Sequence, residues 1–402
     1  MDDSGGSDDS GGVDPAWHLE TKAVRAGREF SGASLAPVLF PSTTYEVAHV
    51  DDHAVMAGQA RPTHYYSRFA SPTVREFEDA VAALEGAESA LAFGSGMAAI
   101  TSVILGLCSS GDHVVAQRQV FSATSTFFLA HCPRFGIDVT IVDGTSTEQF
   151  VEAVQPGRTQ VVFVETPGNP ALSLTDIAAV AAIPGPFTVV DSTFATPVVQ
   201  RPLELGADLV MHAATKGIAG HNDALLGVLA GSRELLDAVW AWALVQGGQA
   251  SPFDAWNGLR GIRTLSARVH QQCATALALA EALEAHPAVA SVSYPGLDSH
   301  PQRELAERQM TMGGTVLTVN FAGGAEAARR FCGAHRIARI ALSLGGPETI
   351  LTHPATIVGG LAPEERAELG VEDGMVRISV GLEHVDDLRA DMCRAADVAA
   401  AG

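Results

Sequence analysis

Paired cysteines, clustered cations and long apolar runs are all missing from this chain of 402 residues. The five cysteines (Cys108, Cys132, Cys273, Cys332 and Cys393) stand singly, without a C-x-x-C pair. That spacing excludes a zinc knuckle and a disulfide framework, and no metal is expected. Twenty-five Lys and Arg face 46 Asp and Glu, for a net charge of −21, and no Lys/Arg-rich run occurs. Binding to a phosphate backbone or an anionic membrane needs clustered cations, so neither partner is expected. No apolar stretch reaches membrane-spanning length, and the N-terminus lacks the basic-then-apolar pattern of a secretory signal. The expected setting is cytoplasmic and reducing. No internal repeat occurs.

What is abundant is small and apolar: 47% apolar residues, 40 glycines and 20 prolines. This is a globular composition with many turns, and the length buries a large core in more than one domain. Residues 1–14, almost wholly Gly, Ser and Asp, are expected to form a disordered acidic tail. Residues 15–60 lack a clear period and are expected to be an N-terminal arm packed on something else, such as a neighbouring subunit. Residues 61–260 are expected to be the next domain, in which the pattern alternates from about 73 to 240. Helical stretches at 73–84 and 97–107 are interleaved with β-rich runs at 113–116, 138–142, 160–165, 187–191, 208–212 and 225–230. That pattern predicts an α/β domain with a large, mostly parallel sheet, whose ligands sit beyond the carboxyl ends of the strands. Glu165, Asp191 and the Thr215–Lys216 pair fall there. Residues 261–288 are predicted as one long helix. Strand-like runs at 290–294, 315–321 and 376–380 make 261–402 a smaller C-terminal α+β domain.

Five segments carry chemistry. Lys216 follows a strand amid Ala and Gly. Alone it reads as a surface turn, but a buried lysine is a nucleophilic amine able to form a Schiff base. Gly94, Ser95 and Gly96 enter an apolar helix, which presents free N–H groups to a phosphate or is simply a helix start. Asp191 ends a strand, where it pairs with a protonated ring nitrogen or caps a turn. Tyr66 and Arg68 in HYYSRFASPT suit a phosphate dianion, or a surface loop. Arg377 suits a substrate carboxylate, or an inter-domain salt bridge. Together they describe a pyridoxal-phosphate (PLP) site acting on a small amino acid.

The segments TKAVRAG, YYSRFASPT, FGSGMAAI, ETPGNP, VDSTFATP, ATKGIAGHND, SLGGPETILTHPA and RISVGLE are those of a known family. Over about residues 18–398 the chain resembles the Cys/Met-metabolism PLP enzymes: cystathionine γ-synthase, cystathionine γ-lyase, methionine γ-lyase and the O-acylhomoserine sulfhydrylases. The resemblance implies PLP fold type I and a homotetramer built from two active dimers. It implies that Lys216 carries the cofactor and shuttles protons, and that Asp191, with Thr193, serves the pyridinium nitrogen. By the same resemblance Gly96 and Met97 amides and the Thr215 hydroxyl bind the phosphate. Tyr66 and Arg68 reach that phosphate from the neighbouring subunit, Asn169 lies near the ring hydroxyl, and Ser343 and Arg377 hold the substrate carboxylate. His212, His221 and His353 are expected to be structural.

The departures bear on substrate. The family's Tyr-Gly-x-Thr stands here as Phe121-Ser122-Ala123-Thr124, so residue 121 stacks on the cofactor but carries no proton. The usual serine three residues before the lysine is Ala213, and the family's His-Ser-Asp is His221-Asn222-Asp223. Leu342, a substrate-side position, replaces a Glu common in members that handle cystathionine. General acid help matters most for poor leaving groups. Phe121 therefore favours an activated γ-substituent, and some O-succinylhomoserine sulfhydrylases carry Phe there. The expected reaction is γ-replacement on an O-acylhomoserine with a thiol or sulfide. The alternatives are γ-elimination from a γ-halogenated or otherwise activated amino acid, and a non-catalytic PLP-binding partner.

Overall fold

Two strands at the centre of the chain are almost all β-branched or aromatic: β4 (Thr159–Glu165) and β5 (Phe187–Asp191). Apart from Gln160 and Phe187 they are buried, as strands covered by helices on both faces must be. The computed structural model describes residues 13–360 and 362–401, so residues 1–12 of the expected acidic tail lie outside the described residues.

The strands β1 (Ser89–Phe93), β2 (His113–Gln117), β3 (Asp138–Val142), β4, β5, β6 (Leu209–His212) and β7 (Gly227–Gly231) form one sheet. Its order is β1-β7-β6-β5-β4-β2-β3, with β7 antiparallel to both neighbours and the rest parallel. One face packs Phe163, Val189, Met211 and Leu229 against the helix Gly96–Leu107. The other packs Val162, Val164 and Val190 against short helices that include Ile177–Ala181. A second sheet, order β10-β11-β12-β9-β8, joins β8 (Val289–Ser293), β9 (Val316–Phe321), β10 (Arg339–Ile340), β11 (Ile350–Thr352) and β12 (Met375–Ser379). The large parallel sheet with a smaller C-terminal sheet and helices is the expected α/β architecture.

Three details differ from expectation. Strand β1 has the sequence SALAF, too rich in Ala and Ser to announce a strand. Strand β7 reverses direction, which an apolar run cannot reveal. The helix expected over 261–288 is shorter at both ends, and two helices occupy this stretch of chain, Pro252–Ile262 and Leu265–Glu284, parted by a turn at Arg263 and Thr264. The first begins at Ser251, whose Oγ accepts from Phe253 N at 3.2 Å with Pro252 in the first turn.

The helix Leu265–Glu284 grips both sides of the site. Arg268 donates to Gly217 O (2.9 Å) and Ile218 O (3.2 Å), directly after Lys216. One turn later, Gln272 donates to Gly346 O (2.9 Å) and Val380 O (3.0 Å).

Candidate active site

The site begins where β4 and β5 end. Glu165 and Asp191 are register partners on these strands, and both are buried. Thr193 donates to Asp191 Oδ1 from its backbone N (3.0 Å) and from its hydroxyl. Thr193 Oγ1 in turn accepts from Ala213 N at 2.8 Å, which ties this corner to the lysine segment. Glu165 Oε2 accepts from Phe121 N at 2.7 Å. Burial, and then the charge of Asp191, raise the Glu165 carboxyl well above its usual range. Burial lifts Asp191 as well, against the two Thr193 donors that favour its anion.

Lys216 leaves β6 through Ala213-Ala214-Thr215 and donates from Nζ to Ser343 Oγ at 2.6 Å. Burial, and then the nearby Arg377 charge, lower its amine below the ordinary lysine range. Ser343 holds φ at 92°, a left-handed conformation costly for a residue with a Cβ. Two residues on, Gly345 at φ 77° packs on Lys216 itself; a Cβ there would lie 2.5 Å from Gly217 N. Arg377, on β12, donates to Asn169 Oδ1 (3.0 Å) and Ser343 O (3.1 Å). Its guanidinium lies 5.7 Å from the Phe194 ring centroid. Burial pulls Arg377 down to about 10, which leaves it a cation at neutral pH.

The helix Gly96–Leu107 aims its N-terminus at this corner. Ser95 Oγ takes the Ala98 amide (3.0 Å) and Ser95 O the Ala99 amide (3.2 Å). The Gly96 and Met97 amides have no acceptor among the described residues. A Cβ on Gly96 would lie 2.8 Å from Ala213 Cβ, so the helix end touches the lysine segment only because residue 96 is glycine. Thr215 does not offer a free hydroxyl. Its Oγ1 donates to Leu226 O (3.1 Å) and accepts from Leu226 N (2.8 Å).

Lys216, Ser343, Arg377, Asn169, Asp191, Thr193, Gly96 and Met97 thus converge. Phe121 and Leu342 are exposed, at 48% and 73%. Tyr66 and Arg68 do not join this group within the chain. Arg68 donates to Leu244 O (2.8 Å) and lies 5.6 Å from the Tyr66 ring centroid. The three histidines bond elsewhere: His212 to Glu85 (2.6 Å), His221 to Ala219 O (2.7 Å), His353 to Thr356 and Asp373 O.

Sequence reasoning left the Glu165 contact, the Phe194 ring and the Arg268 and Gln272 grips unassigned. One unused signal was compositional: the chain has only two lysines, Lys22 and Lys216. A lone lysine inside the fold of so lysine-poor a chain is conspicuous.

The donor set fits pyridoxal phosphate: an amine of lowered proton affinity, a buried carboxylate with its own donors, and first-turn amides unclaimed by the helix. The profile of the Cys/Met metabolism PLP-dependent enzymes matches residues 20–397. The chain is 44% identical to an O-succinylhomoserine sulfhydrylase of Pseudomonas aeruginosa, over 94% of both chains. It is 40% identical to an L-methionine gamma-lyase of Pseudomonas putida, over 93% of this chain and 96% of that one. In structure it resembles a cystathionine gamma synthase from Xanthomonas oryzae pv. oryzae solved with aminoacrylate and cysteine. The TM-score is 0.89 at 34% identity, over 96% of this chain and 99% of that one.

Proposed function

The chain belongs to the Cys/Met metabolism PLP-dependent enzymes, and we propose that within this family it performs γ-replacement on an O-acylhomoserine, with a thiol or sulfide as acceptor. The observation that carries this reading is Phe121. Its backbone is tied to Glu165 beside Asp191, yet its side chain has no proton to give. A site of this kind suits a leaving group that departs without acid help, such as an ester carboxylate. The 44% identity to an O-succinylhomoserine sulfhydrylase supports the same substrate class.

Pyridoxal phosphate, when bound, supplies the electron sink for the pair left at Cα after proton removal. Lys216 is the residue to hold it covalently, Asp191 to face its ring nitrogen, and the Gly96 and Met97 amides to receive its phosphate. With its proton affinity lowered by burial, Lys216 takes a proton from Cα and then from Cβ of the substrate. Arg377 binds the substrate carboxylate through its forked donors, with Ser343 beside it. The γ-substituent leaves as an anion, the acceptor thiol gives up its proton as its sulfur bonds to Cγ, and Lys216 returns a proton to Cβ and then to Cα. Leu342 and Phe121 line the apolar rim that the γ-substituent passes.

We further read the enzyme as a cytoplasmic homotetramer, with an arm at 15–60, a PLP-binding unit at 61–260 and a C-terminal unit at 261–402. Exposed Leu35 (85%) and Val50 (80%) support an arm that packs on another subunit. So does the placement of Tyr66 and Arg68 away from Lys216 of their own chain. No helix among the described residues is long and apolar enough to cross a membrane.

The test is mass spectrometry of the purified holoenzyme given O-succinyl-L-homoserine, with and without sulfide or cysteine. Replacement predicts a thiol or thioether product only with the acceptor. A keto acid in both cases supports the second reading, γ-elimination, which the likeness to methionine gamma-lyases favours. Full turnover by Lys216→Ala would overturn the assignment of the shuttle.

A further inference from the structure

Glu165 is an ionisable group in this corner for which the reaction has no use; His212 also acts on Asp191, favouring its anion. It ends β4 beside Asp191, fully inside the protein, and the two side chains leave the same face of the sheet as register partners. Two buried carboxyl groups so placed cannot both stay ionised. The hydrogen bonds decide which one keeps a proton. Asp191 receives two donors from Thr193, whereas Glu165 receives one, the Phe121 amide at 2.7 Å. That single donor belongs to the residue standing where the family carries its tyrosine.

We propose that Glu165 is a positioning residue that works as a neutral acid: it holds the Phe121 backbone at the rim of the site and leaves Asp191 as the only anion at the ends of β4 and β5. The proposal rests on the reading of Asp191 as the partner of the cofactor's ring nitrogen. The charged groups acting on Glu165 are Asp191 from β5 and Arg377 from β12; the first raises its proton affinity and the second lowers it. Burial outweighs both and favours the proton. The backbone carbonyl of Glu165 is also anchored, by Gln117 Nε2 at 2.6 Å, so the end of β4 does not depend on the side chain alone.

A neutral acid can be replaced by an amide; an anion cannot. The experiment compares Glu165→Gln and Glu165→Leu with the wild type. The apoenzymes are titrated with pyridoxal phosphate by absorbance and circular dichroism, and melted between pH 5.5 and pH 9. Glu165→Gln keeps the acceptor, so its cofactor dissociation constant stays within about twofold of wild type, with the same absorption band. Glu165→Leu loses the acceptor for the Phe121 amide and weakens binding by about tenfold or more, with a shifted circular-dichroism band. The melting temperature of the wild-type apoenzyme falls more steeply with pH than that of Glu165→Gln, since only the wild type has this buried proton to lose.

Glu165→Gln behaving as badly as Glu165→Leu would mean that an anion is required, and the proposal fails. Wild-type behaviour of Glu165→Leu would overturn the positioning role. Should Glu165→Leu not fold, Glu165→Gln still decides: a melting temperature below wild type at pH 9 sinks the proposal. Failure of the underlying site reading looks different. It appears as a wild-type enzyme that binds no pyridoxal phosphate at Lys216 when the complex is reduced with borohydride and digested.

Discussion

Lys216 gives a 2.6 Å hydrogen bond to Ser343, a residue held at φ 92°. The backbone is strained at the one residue that meets the lysine amine, and such strain marks a position kept for use rather than for stability. Ser343→Gly relieves the conformation and removes the hydroxyl; Ser343→Ala removes the hydroxyl alone. The glycine variant should melt higher than the alanine variant, by roughly 1 kcal/mol of folding free energy. Both should lose about tenfold in kcat, the worth of one hydrogen bond to a reacting group. Thermal melts and steady-state kinetics check this; full turnover in both variants would leave the hydroxyl without a role.

Arg377 bonds Asn169 and the Ser343 carbonyl from a buried position, with Phe194 against its guanidinium. Lysine cannot reproduce a planar fork. Arg377→Lys should raise KM for the amino acid by about 10- to 100-fold, with a smaller effect on kcat. A kcat loss with unchanged KM would instead place Arg377 away from the substrate carboxylate.

Phe121→Tyr returns a phenol to the rim. Its backbone amide stays on Glu165, so the ring is expected to keep its place. Turnover of a thioether such as methionine should rise relative to turnover of O-succinyl-L-homoserine, because the poorer leaving group gains more from an acid. Keto-acid release from each substrate gives the ratio. A ratio unmoved by the substitution would separate residue 121 from leaving-group choice.

Asp79, on the helix Pro72–Glu85, is pushed up to about 7 by burial first and then by the charge of Glu78, with Glu29 adding and Arg75 and Arg61 opposing. The folded chain therefore holds this proton more tightly than the unfolded chain. Its stabilising effect is complete below about pH 4 and is lost as pH rises through about 7. Asp79→Asn should flatten the fall in melting temperature between pH 5 and pH 8. An identical slope in the variant would show that this carboxyl does not govern the fall.

Much of the site was legible because its residues sit at strand ends, and strand ends can be read from apolar runs. Asp191 closes FTVVD and Glu165 closes TQVVFVE, so both were placed beyond the sheet from sequence alone. Lys216 was found by its small neighbours. The contacts of Ser343 were not legible, because φ 92° at a serine leaves no trace in residue type. Nor could sequence say that Thr215 spends its hydroxyl on Leu226, since the two residues are 11 positions apart. The long helix expected over 261–288 is present as Leu265–Glu284, but its start was not legible, because Arg263 and Thr264 are ordinary helix residues and only their hydrogen bonds make a turn.

Arg268 and Gln272 stand four residues apart, just over one helical turn and about 6 Å of rise, and each grips a different loop of the site. The lysine loop and the loop after Ser343 are thus gauged from one ruler. A single-residue insertion between the two grips would turn Gln272 by about 100° and unseat one loop while the other stayed put. Leu342 and Phe121 lie outside this gauge, on the exposed rim. Substrate range is accordingly free to drift over evolutionary time by substitution at the rim, while the spacing of lysine and carboxylate site is inherited as a single unit.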